Sequence, residues 1–118
     1  MYKLKGIVTV PILSNVVYSS KNITIRDRYM VILSPEWNGM SYWREGTLTL
    51  LKDSNGTYLP ITWKDSLVHD VLYGLSDINL TRKDKDKILY YGLRKYWSWL
   101  ECQAVYRAVR IFGGNFDK

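Results

Sequence analysis

Two side chains common in reactive sites occur once each in this chain: one cysteine, Cys102, and one histidine, His69. A single thiol rules out an intramolecular disulfide and argues against a cysteine-based zinc site. Cys102 sits among Leu100, Ala104 and Val105, which predicts a buried structural thiol. Long apolar runs are missing too, and none approaches the ~18 residues that a bilayer-spanning helix needs. The opening "MYKLKGIVTVPIL" places Lys3 and Lys5 before an apolar stretch, as a secretion signal does. That stretch is short, contains Pro11 and lacks a small-residue cleavage site, so a first β-strand is expected instead. A basic run is also lacking. The densest charged stretch, "TRKDKDK" (Thr81 to Lys87), alternates in sign and reads as a solvated helix start. No zinc-finger spacing, RRM signature or arginine-rich arm is present, so nucleic-acid binding is not expected.

What remains is a chain of 118 residues, the length of one domain. Such a domain buries roughly two thirds of its unfolded surface, enough for a real core. Apolar residues make up 47%, with ten Tyr and five Trp, which fits a core of large rings or a surface that grips a partner. The net charge of +6 is compatible with an anionic membrane surface or with solubility alone.

The two halves differ in texture. Residues 1–62 are rich in Val, Ile, Thr and Tyr, and "KGIVTV" and "NITIRDRYMVIL" are β-prone. The second alternates at Ile23 and Ile25, then Tyr29 and Val31. "SNG" between "TLTLL" and "TYLPI" predicts a hairpin with Asn55-Gly56 as the turn pair. Pro11, Pro35 and Pro60 all fall in this half and should mark strand ends or edges.

Residues 63–112 read as three helices. The first covers about Trp63 to Leu75, with Val68, Val71, Leu72 and Leu75 at helical spacing. The second opens at Thr81, whose capping partner is Asp84, and runs to about Tyr96. The third covers about Trp97 to Phe112 and ends on Gly113-Gly114, read as left-handed C-cap residues. Strands first and helices after predict an α+β fold: one domain over residues 1–118, an N-terminal antiparallel sheet packed against three C-terminal helices.

Polar residues on the apolar faces are the candidate site. The stripe of the second helix is Leu89, Tyr90, Leu93 and Trp97, and three residues before Leu89 lies Asp86. A carboxylate on an inward face needs a partner, and His69 is available. His69 and Tyr73 share a side of the first helix, while Asp70 is rotated by about 100° toward the "PEWNGMS" loop with its Gly39. A lone His beside Asp in a helix is commonly a packing element, and the cluster then only satisfies a buried polar network. A Ser41–His69–Asp triad is disfavoured because "NGMS" lacks the strand-turn-helix setting of a nucleophile elbow.

Four segments resemble a group of small phage-encoded domains that carry D-G-x-S, then H-D-x-L-Y, then an A-D pair opening a helix, then A-V-R-x-F-G-G. Here they are "WNGMS" (Trp37 to Ser41), "HDVLY" (His69 to Tyr73), "KDKI" (Lys85 to Ile88) and "AVRIFGG" (Ala108 to Gly114). The chain departs at Asn38, where the family has Asp, and at Lys85, where it has Ala. The resemblance implies a phage accessory or virion-associated protein, in the virion or the infected bacterial cell, whose partners are virion proteins or host-envelope components.

"HDVLY" followed by Asp86 on the next helix also resembles small calcium-dependent phospholipases. That resemblance implies His69 as general base, Tyr73 and Asp86 as its orienting pair, and Asp70 with the Gly39 loop as Ca²⁺ ligands. Asn38 and Ser41 belong to the same loop motif, and Asn38 has lost the charge a metal ligand would carry. The enzymatic reading is hydrolysis of a lipid or other ester at the host envelope. The alternative is a structural or adaptor protein that uses the cluster as a packing lock. An enzyme needs the cluster at the foot of an open cleft; a lock buries it completely.

Overall fold

The computed structural model describes residues 1–39 and 48–117. The order of elements is β1 (Tyr2–Lys3), β2 (Ile7–Pro11), β3 (Tyr18–Ser19), β4 (Ile23–Arg26), β5 (Tyr29–Leu33), β6 (Glu36–Trp37), β7 (Leu48–Lys52), β8 (Tyr58–Pro60), α1 (Trp63–Tyr73), α2 (Arg82–Leu93) and α3 (Trp99–Phe112). A 3₁₀ turn, Gly113–Asn115, follows α3. The fold is α+β, with antiparallel strands first and helices after. Among the described residues no helix is long and apolar enough to cross a membrane.

The largest sheet has the order β2-β5-β4-β3 and is antiparallel throughout. Its centre is a hairpin that divides "NITIRDRYMVIL" at Asp27 and Arg28. Both turn residues lie at positive φ, 52° and 65°, as a two-residue primed turn requires. This turn sets the phase of β5. Ile25 pairs with Met30 and Ile23 with Ile32, so Met30 and Ile32 join Ile25 in facing the core. Tyr29 and Val31, which the alternation had placed with Ile23 and Ile25, lie on the outer, exposed face. The physical reason is the even-numbered turn, which reverses the alternation that a continuous strand would keep.

The β7–β8 hairpin forms around "SNG", but its loop is longer than an Asn-Gly two-residue turn. Asp53 closes it: Oδ1 accepts from the N–H groups of Asn55 and Thr57 at 3.0 and 2.9 Å. Gly56 takes the positive φ of 80° that the turn needs. Asp53 Oδ2 also accepts from Lys3 N–H at 2.9 Å, which ties this hairpin to β1.

β1 pairs with β6, and β6 lies against α1. Three rings lock that contact, with Trp37 between Tyr2 and Trp63 at 5.4 and 6.1 Å. Trp37 Nε1 donates to Ser66 Oγ on α1 at 3.1 Å. The main core joins Val10, Ile25, Met30 and Trp37 from the strands to Leu67, Val68 and Leu72 from α1. α2 packs on α1, and α3 packs on α2 around a second cluster of Leu89, Leu93, Cys102 and Val105. α1 is therefore the helix that bridges sheet and bundle. Cys102 is buried and unbridged, as its neighbours predicted.

Helix ends follow their caps. Thr81 and Asp84 form the expected capping box of α2. Ser98 and Glu101 form a second box, so α3 begins at Trp99 rather than Trp97. α2 stops at Leu93 and the chain turns before Ser98. Gly113 is right-handed, with φ of −76°, because the chain continues into the 3₁₀ turn instead of reversing.

Candidate functional site

The site lies where the three helices meet. His69 and Tyr73 project from α1 one turn apart, with ring centroids 4.3 Å apart. Asp86 comes from the first half of α2 and is 0% exposed. His69 Nε2 is 2.9 Å from Asp86 Oδ1, and Tyr73 OH donates to the same oxygen. Helical spacing had predicted this pairing across α1 and α2, and the structure brings the three side chains together.

The other carboxylate oxygen looks toward α3. Arg110 Nη1 donates to Asp86 Oδ2 at 3.0 Å, and Arg82 Nη1 stands 3.9 Å from the same atom. Burial pushes the Asp86 carboxyl up, but the hydrogen bonds from His69, Tyr73 and Arg110 outweigh it, and the pKa lies below the ordinary value. Tyr73 moves the opposite way: burial first, then the bond to Asp86, hold its hydroxyl well above the usual tyrosine range. Asp86 is thus an ionised acceptor and Tyr73 a neutral donor. An ionised carboxylate can only accept, so Nε2 of His69 donates to it, and in the neutral tautomer that makes this bond the lone pair lies on Nδ1.

Asp70 faces the other ring nitrogen of His69 and the loop after β6, as the helical rotation required. Its Oδ2 accepts from Asn38 N–H at 2.9 Å, and its Oδ1 is 4.0 Å from His69 Nδ1. Asn38 therefore contributes through its backbone, while its side chain is exposed. Gly39 is buried at a φ of 78°. Trp37, packed on Trp63 and bonded to Ser66 of α1, directly precedes this short stretch. Ser41 lies outside the described residues. The peptide group that meets Asp70 presents its N–H, so the carboxylate is the hard-cation ligand that these residues offer there. Among the described residues no three His, Cys, Asp or Glu side chains cluster as a metal site.

A cavity of about 370 Å³ opens over the cluster. His69, Asp70 and Tyr73 line it with Asn38 and Gly39, and Trp37, Leu89, Val105, Ala108, Val109 and Phe116 supply apolar lining. His69 keeps 8% of its surface exposed. Glu36, at the rim, is paired with Lys3 at 3.2 Å.

Three residues of the cluster were not singled out for it by the sequence. Arg110 had entered only as part of the "AVRIFGG" motif, Arg82 as part of an alternating run, and Gly113 as a C-cap. A Cβ on Gly113 would sit 2.8 Å from Tyr73 OH, so a side chain there would displace the tyrosine. The usable signal was charge: a buried Asp needs cations, and "AVRIFGG" places one beside apolar residues. Lys85 is buried too, and its Nζ meets Leu75 O at 3.3 Å and the Asp117 carboxylate. It ties α2 to the chain after α1 and to the segment after α3.

Comparison with family models, with curated proteins and with solved structures gives no match to this chain.

Proposed function

We propose that this protein is an ester hydrolase in which His69 acts as general base. The observation that carries the reading is the pairing of His69 Nε2 with a buried carboxylate where His69 lines an open cavity. Nδ1 is then the nitrogen able to take a proton from a water molecule as that water attacks an ester carbonyl. Asp86 and Tyr73 hold the ring, and Asp86 stabilises the imidazolium that forms. The apolar wall of Leu89, Val105, Val109 and Phe116 suits an ester with an acyl chain. A phospholipid of a bacterial envelope is the substrate this reading assigns. The phage-domain motifs support a virion-associated or accessory role in infection.

Ca²⁺ is the cofactor of this reading. Asp70 and backbone oxygens near Gly39 would hold it, and when bound it would polarise the ester carbonyl. One carboxylate makes a weak site, expected toward the millimolar end of the range for such ions.

The test is hydrolysis of mixed phospholipid vesicles and of short-chain esters, with and without millimolar Ca²⁺. Activity that disappears in His69→Gln, with the fold intact by circular dichroism, is the expected result. No turnover of either substrate class by the wild type leaves the second reading, a structural or adaptor protein. A specific observation favours that alternative: Asp86 is wholly buried and bonded at both oxygens, as a packing lock requires.

A further inference from the structure

Outside His69, Tyr73 and Asp86, two side chains reach the cluster: Arg82 of α2, 3.9 Å from Asp86 Oδ2, and Arg110 of α3. Arg110 is 24 residues from Asp86 in sequence and bonds Oδ2 at 3.0 Å. Oδ1 is occupied by His69 and Tyr73. An Asp carboxylate rotates easily about its last bond, since a terminal sp³–sp² torsion has broad wells. A hold on one oxygen leaves the plane loose; a hold on both sets it. Arg suits the second hold because its planar guanidinium donates charge-assisted, directional bonds.

The helix end that carries Arg110 is itself fixed. Arg82 donates to Val109 O and Arg110 O, both at 3.1 Å, so α2 grips the last turn of α3 beside Asp86. At 3.9 Å Arg82 Nη1 is beyond hydrogen-bond reach of the carboxylate and adds its charge there, while its hydrogen bonds hold the helix end that carries Arg110. Gly113, three residues on, leaves the space that Tyr73 OH occupies. The "AVRIFGG" stretch therefore serves one carboxylate through two of its residues.

We propose that Arg110 is a positioning residue of the His69 site. It sets the plane of Asp86 so that Oδ1 meets Nε2, and this holds the ring in the Nε2–H tautomer, leaving the lone pair on Nδ1, the nitrogen 4.0 Å from Asp70 Oδ1. Its catalytic meaning rests on the hydrolase reading; the effect on the ring does not.

His69 is the only histidine, so ¹⁵N-labelled protein reports a single imidazole and its tautomer directly. The wild type is expected to show one tautomer, protonated at Nε2 and slow to exchange. Arg110→Gln and Arg110→Met are expected to give a mixture of tautomers and faster exchange of that proton, with Arg110→Lys between them and the wild type. The exposed Arg107→Gln serves as control and leaves the signal unchanged. Arg110 is 32% exposed along its side chain, so a shorter residue there leaves the apolar core in place, and melting curves select the folded variants. A folded Gln or Met variant with the wild-type tautomer overturns the proposal. The spectrum needs no substrate. Absent hydrolysis with the tautomer shift present therefore removes the hydrolase alone, and an unshifted tautomer in an active enzyme removes the positioning role alone.

Discussion

Burying a carboxylate costs several kcal/mol unless its oxygens find donors, and Asp86 meets that cost with a histidine, a tyrosine and an arginine. Asp86→Ala leaves all three without their acceptor. It should lower the unfolding free energy by about 1–3 kcal/mol in urea titrations. Its pH dependence follows from the direction of its shift. The folded pKa of Asp86 is lowered, so the unfolded chain binds the proton first as pH falls. The stabilisation is complete above the unfolded value of about 3.9 and is lost as pH drops below it through the folded value. Asp86→Asn should flatten this acid limb of stability against pH. Tyr73 acts at the other end. Its folded pKa is raised, so the unfolded chain loses its proton first as pH rises past about 10, and stability falls there. Tyr73→Phe should remove that alkaline loss in melting curves taken from pH 8 to 11. At this scale the sequence was informative about three residues. His69, Tyr73 and Asp86 were legible because helical spacing alone decides which face each occupies. Arg110 was not, since no local rule links it to a carboxylate on the preceding helix, 24 residues away.

Elements are joined here by close approaches and by caps. α1 meets α2 at Gly92, where a Cβ would lie 2.1 Å from Asp65 Oδ1 and 2.8 Å from its Cγ. Gly92→Ala improves helix propensity by about 1 kcal/mol in isolation. The clash with a largely buried Asp65 should reverse that sign and lower the melting temperature. Ser98→Ala tests the cap of α3. Removing the hydroxyl that accepts from Glu101 N–H should cost about 1 kcal/mol of stability, read by thermal unfolding. Both boxes are visible in sequence as Thr-x-x-Asp and Ser-x-x-Glu, and the start of α3 was misplaced because the second was overlooked. The phase of β5 is a different kind of miss. Alternation fixes which residues share a face, but the Asp27–Arg28 turn decides which set is continuous across the hairpin. No glycine marks that turn, so the usual signal for it was absent.

For the whole molecule the charge of +6 is the coarsest handle. Basic side chains occur on strands, loops and all three helices, and several of those near the site are committed: Arg82 and Arg110 to α3 and Asp86, Lys85 to Asp117. Little affinity for DNA is expected at physiological salt. A tight complex that weakens steeply with salt would contradict this, since that slope counts phosphates neutralised. Ca²⁺ supplies the second test at this scale. A millimolar site should add about 1.4 kcal/mol of stability at tenfold excess over its dissociation constant. Asp70→Asn should abolish that gain, and a melting temperature unmoved by Ca²⁺ would remove the cation from the proposed chemistry.

The sequence by itself determined the α+β order, the three helices, the inward faces of His69 and Asp86, and the burial of Cys102. These follow from periodicity, capping and composition, which act over a few residues. Tertiary structure decided the rest. It brought Trp37, Asn38 and Gly39 to the cavity that His69 lines, and it brought Arg110 to the second oxygen of Asp86. It also made Gly113 a spacer for a tyrosine instead of a left-handed cap. Each of these depends on how α1, α2 and α3 lie against one another, and helix packing is set by the summed fit of many side chains rather than by any local pattern.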